Sequence, residues 1–173
     1  MTAADRIELI DSIIKSSLRM FVKQMKELDW VGREDEAVSL FTFGCLLRHI
    51  GPTRFLRDAR QIGIHVAVPQ LRGPERKRLV RRDLVLWPEP GMSCWRSSGV
   101  PGKAPAAILQ WKRVCDVLPG LYSEKDIAWL REFAEEYRGS VGYAVTLGSH
   151  RETPSVRCAR IMTGRPKEDW VVV

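Results

Sequence analysis

RDLVLW, at residues 82–87, is an apolar run that carries one acidic residue, Asp83. Its β-branched and aromatic content predicts a strand. A carboxylate in or beside a buried strand is costly unless it is paired, hydrogen-bonded or bound to a metal. Asp83 is therefore predicted either to form an ion pair with an arginine such as Arg82, or to belong to a functional site.

The next strand predicted along the chain, AILQWK at residues 107–112, ends in two further polar side chains. Strand side chains alternate between two faces, so Gln110 and Lys112 share one face and Trp111 lies on the other. An amide oxygen and an ammonium group two residues apart on one face can serve one site. A lysine at a sheet end also commonly extends into solvent, which is the simpler interpretation of Lys112.

Two helices are predicted ahead of these strands. Apolar residues recur at helical spacing over residues 3–28, and Thr2 with Asp5 resembles a capping pair. A second helix is predicted to begin near Glu34 and to end at Gly51-Pro52. Its apolar arc is so broad that we expect this helix to be largely buried.

The remaining elements are predicted from hydrophobic period and turn residues. They are a short basic helical turn at 54–60, strands at 64–68, 141–147 and 156–162, and a helix that Ser123 caps and Gly139 ends. The stretch 88–105 is rich in Pro, Gly and Ser and is interpreted as an irregular excursion. We predict a single α/β domain over 1–173, with an N-terminal helix in 1–32 and a core in 34–163.

The second predicted helix begins with three acids, Glu34, Asp35 and Glu36. Acidic residues stabilise the N-terminus of any helix through its dipole, so this cluster alone does not indicate a site. It gains meaning only if one of the acids lies close to Asp83.

Composition narrows the classes of function. The chain has 173 residues, of which 45% are hydrophobic and 28% charged, as in an ordinary globular domain. It has no apolar run of about 18 residues and no signal-like start, so we expect a cytoplasmic protein with no membrane partner. Four scattered cysteines and three histidines supply no close ligand pairs, which disfavours a zinc site and predicts reduced, packed thiols.

The net charge of +7 favours a polyanionic partner. Much of it is concentrated in one stretch, here called the basic segment: Arg72, Arg76, Lys77, Arg78, Arg81 and Arg82. The basic segment is either a set of contacts to nucleic-acid phosphates or a solvated turn that charge keeps soluble.

Together these features resemble the PD-(D/E)XK, or restriction-endonuclease-like, nuclease superfamily. In that family an Asp in an apolar strand is followed by a residue-x-Lys signature on the next strand, as Asp83 is followed here by Gln110-Trp111-Lys112. The predicted element order over 34–148 also matches the family's helix–three strands–helix–strand core. The resemblance implies a mixed central sheet flanked by helices, with an extra N-terminal helix.

The resemblance also implies a metal-dependent nuclease that hydrolyses phosphodiester bonds, with DNA favoured over RNA as substrate and Mg²⁺ or Mn²⁺ as cofactor. Asp83 would be the central metal ligand, joined by the Gln110 side-chain oxygen and the Trp111 carbonyl. Lys112 would orient or deprotonate the attacking water, or stabilise charge on the phosphate. The metal would polarise the phosphate and lower the pKa of its bound water.

The same resemblance assigns the helical acid and exposes two departures. Glu36 is preferred to Glu34 because it directly precedes apolar residues, as in the family's helical motif. Arg82 stands where the family often has Pro. Gln110 stands where Glu or Asp is usual, and the missing charge should weaken binding of Mg²⁺. The basic segment would contact phosphates that flank the scissile bond.

Two further functions stay open. One is a catalytically inactive nuclease-fold protein that binds nucleic acid, which the Gln in the third motif favours. The other is a protein of this fold whose basic surface binds an acidic protein partner. Paired active sites are common in the superfamily, so a homodimer is one expectation.

Overall fold

A computed structural model describes residues 2–30, 32–52, 54–68, 80–93, 103–114, 122–150, 153–164 and 166–173. Within these residues the chain forms a six-stranded mixed β-sheet and three α-helices. The helices are α1 (Ala3–Glu27), α2 (Glu34–Leu40) and α3 (Glu124–Glu136). The strands are β1 (Ile62–Val68), β2 (Val80–Leu86), β3 (Ala107–Val114), β4 (Val141–His150), β5 (Thr153–Ile161) and β6 (Lys167–Val172). The α/β class is confirmed.

The strands lie side by side in the same order as in the sequence. Neighbours are antiparallel except β3 and β4, which are parallel over the full length of β3. Parallel neighbours need a crossover connection, and α3 lies in the connection between β3 and β4. The sheet is therefore two antiparallel ribbons joined through one β–α–β unit.

The α1 helix begins where the sequence predicts. The Thr2 hydroxyl accepts a hydrogen bond from the Asp5 N–H at 3.1 Å, and the Asp5 carboxylate accepts one from the Thr2 N–H at 2.8 Å. This capping box satisfies two N–H groups that lack helical partners. The apolar stripe of α1 is buried against the sheet through Ile7, Ile10, Ile13, Ile14, Leu18, Phe21, Val22 and Met25. Each such side chain, fully buried, contributes roughly 1.5–3 kcal/mol.

Helices cover both faces of the sheet. The residues of α1 and α2 share one apolar core with Leu84 of β2 and Leu109 and Trp111 of β3. The residues of α3 share a second core with Val85 of β2 and Ile108 of β3. The alternation of side chains along β2 and β3 thus fills two separate cores.

An aromatic cluster anchors β3 to the first of these cores. The ring of Trp111 lies 5.4 Å from that of Phe21 on α1 and 5.1 Å from that of Phe41, which follows α2. Phe21 and Phe41 also meet edge to face at 6.0 Å. Aromatic pairs at such distances add stabilisation beyond their buried area. Trp111 therefore has its position set by both α1 and the segment after α2.

The second helix differs from the prediction in its interior. A regular α-helix ends at Leu40, a π-helical turn follows over Phe41–Cys45, and a 3₁₀ turn over Leu46–His49. The Thr42 hydroxyl donates to the Val38 carbonyl at 2.7 Å, where it competes with the backbone hydrogen bonds. The end near Gly51 is confirmed, because Ile50 is already extended.

Two smaller elements also differ. The basic turn predicted at 54–60 is reduced to a 3₁₀ turn at Ala59–Gln61. The strand β6 was not predicted and lies beyond the core expected at 34–163. Its first three residues are charged and exposed, so the apolar–polar alternation that predicts a strand is missing there. Charged residues are nevertheless common on the edge strand of a sheet.

An unusual backbone conformation interrupts β1. His65 has a φ of 51°, in the left-handed region that non-glycine residues rarely occupy. It lies between two strand pairs, Ile64 with Leu84 and Val66 with Arg82. Ile64 and Leu84 pack in the core under α1, whereas Val66 and Arg82 pack on the side of α3. The regular alternation of side chains is therefore broken at His65 in both strands, because residues two positions apart lie on opposite faces of the sheet.

We expect His65→Val to lower the free energy of unfolding by about 1–2 kcal/mol, measured by equilibrium urea unfolding. Valine favours strands, but a β-branched side chain is strained at positive φ. His65→Gly is the matched control, since glycine adopts this conformation freely and should be clearly more stable than the valine variant. A valine variant as stable as the wild type would contradict the left-handed backbone conformation of His65.

Candidate functional site

The candidate site lies where β2 and β3 separate. Their ladder runs from Leu86 opposite Ala107 to Leu84 opposite Leu109 and then ends. Beyond that point β2 stays paired with β1, and β3 stays paired with β4. We call the opening between Asp83 of β2 and residues 110–113 of β3 the fork.

Asp83 occupies the fork. Its Oδ2 accepts a hydrogen bond from the Trp111 backbone N–H at 2.7 Å and another from the Gln110 side-chain Nε2 at 2.6 Å. The carboxylate thus replaces the backbone partner that β3 loses when β2 separates from it. Such a replacement matters because an unpaired buried N–H costs about as much as a lost hydrogen bond.

Glu34 acts in the same way two residues further along β3. Its Oε2 accepts a hydrogen bond from the Arg113 backbone N–H at 3.0 Å. Alternate N–H groups of a strand point to the same edge, so Trp111 and Arg113 present their N–H groups to the same opening. Asp83 and Glu34 therefore both line the free edge of β3.

The connection from α1 to α2 delivers Glu34 to this edge. The Arg113 guanidinium donates a hydrogen bond to the Gly32 carbonyl, two residues before Glu34. Gly32 lies so close to the ring of Trp30 that a Cβ atom there would overlap the ring. No other residue fits this approach without displacing Trp30, so Gly32 lets the chain enter α2 beside β3.

Gln110 has a single possible orientation. Its Oε1 accepts a hydrogen bond from the Arg82 Nη1 at 3.2 Å, while its Nε2 donates to Asp83. A guanidinium only donates and a carboxylate only accepts, so the amide cannot be reversed. Arg82 and Asp83 are adjacent in sequence but are joined by hydrogen bonds through Gln110 of the other strand.

Arg82 is buried, with 6% of its surface exposed. Its guanidinium carbon lies 3.6 Å from the ring centroid of Trp129 on α3, a cation–π contact. Burial lowers the pKa of Arg82 to about 10, and the nearby Asp126 and Asp83 oppose that shift. The side chain therefore stays cationic at neutral pH.

The pKa of Asp83 is raised above its usual value of 3.8, chiefly because burial penalises the charged carboxylate. The Trp111 N–H and the charge of His65 lower this pKa, while the charges of Glu34 and Asp126 raise it. Asp83 is thus a carboxylate held in an unfavourable electrostatic environment, beside a second carboxylate. A cation bound between them would relieve that repulsion.

Three of the predicted site residues, Asp83, Gln110 and Trp111, are in direct contact. Lys112 is exposed on the strand next to Asp83, and no hydrogen bond between described residues joins the two. Glu36 caps its own helix, because its Oε2 accepts a 2.5 Å hydrogen bond from the Arg33 N–H. The helical acid at the fork is Glu34 rather than Glu36.

The residues of the basic segment fall into three groups. Arg81 is exposed. Arg82 is buried between Gln110 and Trp129, so it offers no surface contact for a phosphate, contrary to the prediction. Arg72, Arg76, Lys77 and Arg78 lie outside the described residues.

Two residues near the fork were missed by sequence reasoning. His65 lies on β1 between the partners of Leu84 and Arg82, and its imidazole Nε2 is 3.9 Å from the Asp35 Oδ1. Trp129 supports Arg82 from α3. His65 alternates with apolar residues like any outward strand residue, and Trp129 lies on a helix with a regular period. Only the pairing of β1 with β2, and of α3 with the sheet, brings them to the site.

The donor set of the fork can be compared with the needs of a hard divalent cation. Among the described residues no group of three His, Cys, Asp or Glu side chains could hold a metal ion. Mg²⁺, however, commonly takes one or two carboxylates and completes its shell with waters and substrate phosphate. Asp83 and Glu34 supply two carboxylates, and the Trp111 carbonyl faces the same edge as its N–H. The Gln110 oxygen faces Arg82 instead, so the groups that could contact an ion at this edge are these three and not Gln110.

The two described cysteines are not candidates for a nucleophile. Cys45 and Cys158 are free and buried. Burial raises the pKa of Cys45 to about 11 and raises that of Cys158 further, which keeps both thiols protonated. Cys94 and Cys115 lie outside the described residues.

Comparison with known proteins yields no matching family model, no similar curated protein and no similar solved structure. None of the helices in the described ranges is long and apolar enough to cross a membrane. Function is therefore inferred from the geometry of the fork.

We expect Asp83→Asn to become increasingly more stable than the wild type as pH rises from about 4 to 8 in EDTA. The raised pKa means that the folded state prefers protonated Asp83. The resulting destabilisation is absent below the usual pKa of 3.8 and is complete above the folded-state pKa. An asparagine oxygen can accept both hydrogen bonds now made to Oδ2. The measurement is urea unfolding of both proteins across this pH range.

Asp58→Asn is the matched control with the opposite sign. Hydrogen bonds from Arg60 lower the pKa of Asp58 to about 2, so ionised Asp58 stabilises the folded state. The wild type should therefore gain on Asp58→Asn only as pH rises from about 2 to the usual pKa of 3.8, and the difference between the two proteins should stay nearly constant over the range in which Asp83→Asn gains. A pH-independent difference between wild type and Asp83→Asn would show that Asp83 is not destabilised by its charge.

Proposed function

We propose that this chain is a metal-dependent nuclease of restriction-endonuclease-like fold that hydrolyses phosphodiester bonds, with DNA as the favoured substrate. The observation that carries the proposal is the pair of carboxylates, Asp83 and Glu34, on the free edge of β3. The pKa of Asp83 is raised by burial and by Glu34. A carboxyl group whose pKa is raised by burial and by a charged neighbour, and which lies at an opening, is a candidate functional group.

The order of the elements supports the same proposal. The segment α2, β1, β2, β3, α3, β4 follows the helix–three strands–helix–strand order that the sequence resemblance implies. Asp83 lies on the second of these strands, and the Gln110-Trp111-Lys112 signature lies on the third, its direct neighbour. Both motifs therefore meet at one place, as an active site of this kind requires.

Each residue has a role in this proposal. Asp83, Glu34 and the Trp111 carbonyl would hold Mg²⁺ or Mn²⁺. When bound, the ion supplies Lewis-acid polarisation of the phosphate and a bound water of lowered pKa. Lys112 shares the face of Gln110 and is exposed, so its ammonium group can contact a substrate phosphate or orient the attacking water. Glu34 takes the role first assigned to Glu36.

A specific observation favours the second candidate, a catalytically inactive nuclease-fold protein that binds nucleic acid. Asp83 and Glu34 each accept a backbone hydrogen bond from β3, which gives both carboxylates a structural role without any ion. Gln110 presents its oxygen to Arg82 rather than to the opening. Under this alternative the two carboxylates only stabilise the free edge of β3, and the basic surface alone binds nucleic acid.

The proposal is tested by cleavage of plasmid and of labelled linear DNA, with Mg²⁺, Mn²⁺ or EDTA. We expect metal-dependent cleavage by the wild type and a loss of at least about 100-fold in Asp83→Asn, Glu34→Gln and Lys112→Ala, because the first two lose a carboxylate that holds the metal and the third loses the cation that contacts the phosphate or the attacking water. Glu36→Gln is the matched control on the same helix and should keep its activity. Equal losses from Glu34→Gln and Glu36→Gln would contradict the assignment of the helical acid.

Melting temperature distinguishes the two candidates. A ligand that binds the folded state raises the melting temperature by linkage, so Mg²⁺ should stabilise the wild type but not Asp83→Asn or Glu34→Gln. Stabilisation without cleavage of DNA or RNA would reject the nuclease. Nucleic-acid binding with no effect of either metal would select the inactive alternative.

Charge reversal of Arg76, Lys77 and Arg78 to Glu tests the nucleic-acid partner. We expect weaker binding of DNA and a slope of log affinity against log salt reduced by roughly one unit per lost phosphate contact. The control is the same reversal at Arg19, Lys23 and Lys26 of α1, which changes the net charge equally. Similar slopes in both triple variants would reassign the basic segment to general electrostatic attraction.

A further inference from the structure

Three side chains form a directional chain across the fork. Arg82 Nη1 donates to Gln110 Oε1 at 3.2 Å, and Gln110 Nε2 donates to Asp83 Oδ2 at 2.6 Å. We call these residues the Arg82–Gln110–Asp83 relay. The same Asp83 oxygen also accepts the Trp111 N–H at 2.7 Å, whereas Oδ1 accepts no hydrogen bond from any residue that the structure describes.

The relay explains why an amide stands at position 110. Its neighbours are a guanidinium, which only donates, and a carboxylate, which only accepts. An amide carries one acceptor and one donor group at the same end of the side chain. A carboxylate at position 110 would satisfy Arg82 but would turn its lone pairs towards Asp83, and like charges at this distance resist joint ionisation.

The first member of the relay is itself held rigidly. Arg82 is 6% exposed and lies 3.6 Å from the Trp129 ring centroid. Its Nη1 therefore has little freedom to leave Gln110. Burial of a cation lowers the stability of the folded state. The cost is larger here because the Arg82 Nε has no hydrogen-bond partner among the described residues. Its position at the fork is best explained by what it holds in place.

We propose that Arg82 and Gln110 are positioning residues that hold Asp83 Oδ2 against β3 and leave Oδ1 free to face the opening. Gln110 then does not take the place of a metal ligand, because neither its role nor its geometry is that of one. The inference rests on the proposed function for what Oδ1 binds, but the relay exists without any ion. The positioning role predicts that Gln110→Glu disturbs the position of Asp83 and so weakens metal binding. A ligand role for position 110 predicts that the same change strengthens metal binding.

The first measurement is a double-mutant cycle by urea unfolding in EDTA, with Gln110→Met and Asp83→Ala. We expect a coupling of about threefold or more in the unfolding equilibrium constant, as for residues in one hydrogen-bonded network. Arg82→Met and Asp83→Ala should also be coupled, and that coupling should fall in a Gln110→Met background. A purely local packing role of Gln110 would leave the Arg82–Asp83 coupling unchanged. Arg81→Met, an exposed neighbour on the same strand, is the control and should show no coupling to Asp83.

The second measurement is the Mg²⁺ dependence of the melting temperature of Gln110→Glu and the wild type. We expect a smaller metal-induced rise in the variant and a lower melting temperature in EDTA at neutral pH. Tighter Mg²⁺ binding by Gln110→Glu would overturn the inference, as would absence of the Gln110–Asp83 coupling in EDTA. Coupling in EDTA with no response of any protein to Mg²⁺ would support the relay and contradict the proposed nuclease, so the two failures are distinct.

Discussion

The hydrogen bond from the Trp111 N–H to the Asp83 carboxylate is the contact on which the rest of this structure depends. On one side of β3 the Trp111 ring packs between Phe21 and Phe41, which ties the strand to α1 and to the segment after α2. At the edge of the strand its N–H needs an acceptor, because β2 has separated. Asp83 supplies that acceptor, so the principal core and the candidate site meet in a single residue.

The surroundings of this contact depart from the patterns that stabilise the rest of the sheet. Asp83 has a raised pKa, Arg82 is a buried cation, and His65 has a left-handed backbone conformation within a strand. Each of these features costs stability. Proteins tolerate such departures mainly at functional sites, where local rules of sequence and fold conflict with the needs of chemistry or binding. Their concentration at one fork, rather than any one of them, supports a functional interpretation. The two candidate functions differ in whether a bound ion offsets these costs.

Most helices and strands were predictable because their signals are local. The capping pair at Thr2, the stop at Gly51 and the apolar runs of β2 and β3 depend on residues close together in the chain. The elements that were missed depend on distant partners. The strand β6 carries charged residues at its start and is defined by its pairing with β5. The π-helical turn after α2 coincides with the hydrogen bond from Thr42 to Val38 and with the close approach of Gly44 to Gln24 of α1, and a hydrophobic period of 3.6 predicts neither contact.

The sequence by itself determined that Asp83 and Gln110-Trp111-Lys112 belong to neighbouring strands, because apolar runs, alternation and the order of elements are properties of the chain. It also determined that an acid from the second helix was a candidate. Only the tertiary structure decided that this acid is Glu34, that Gln110 turns its oxygen to Arg82, and that Arg82 is buried. These outcomes depend on where two strands separate and on which side chains then face the gap. Hydrogen-bond donors and acceptors find partners by distance in space, and that distance is fixed by packing between segments far apart in the chain.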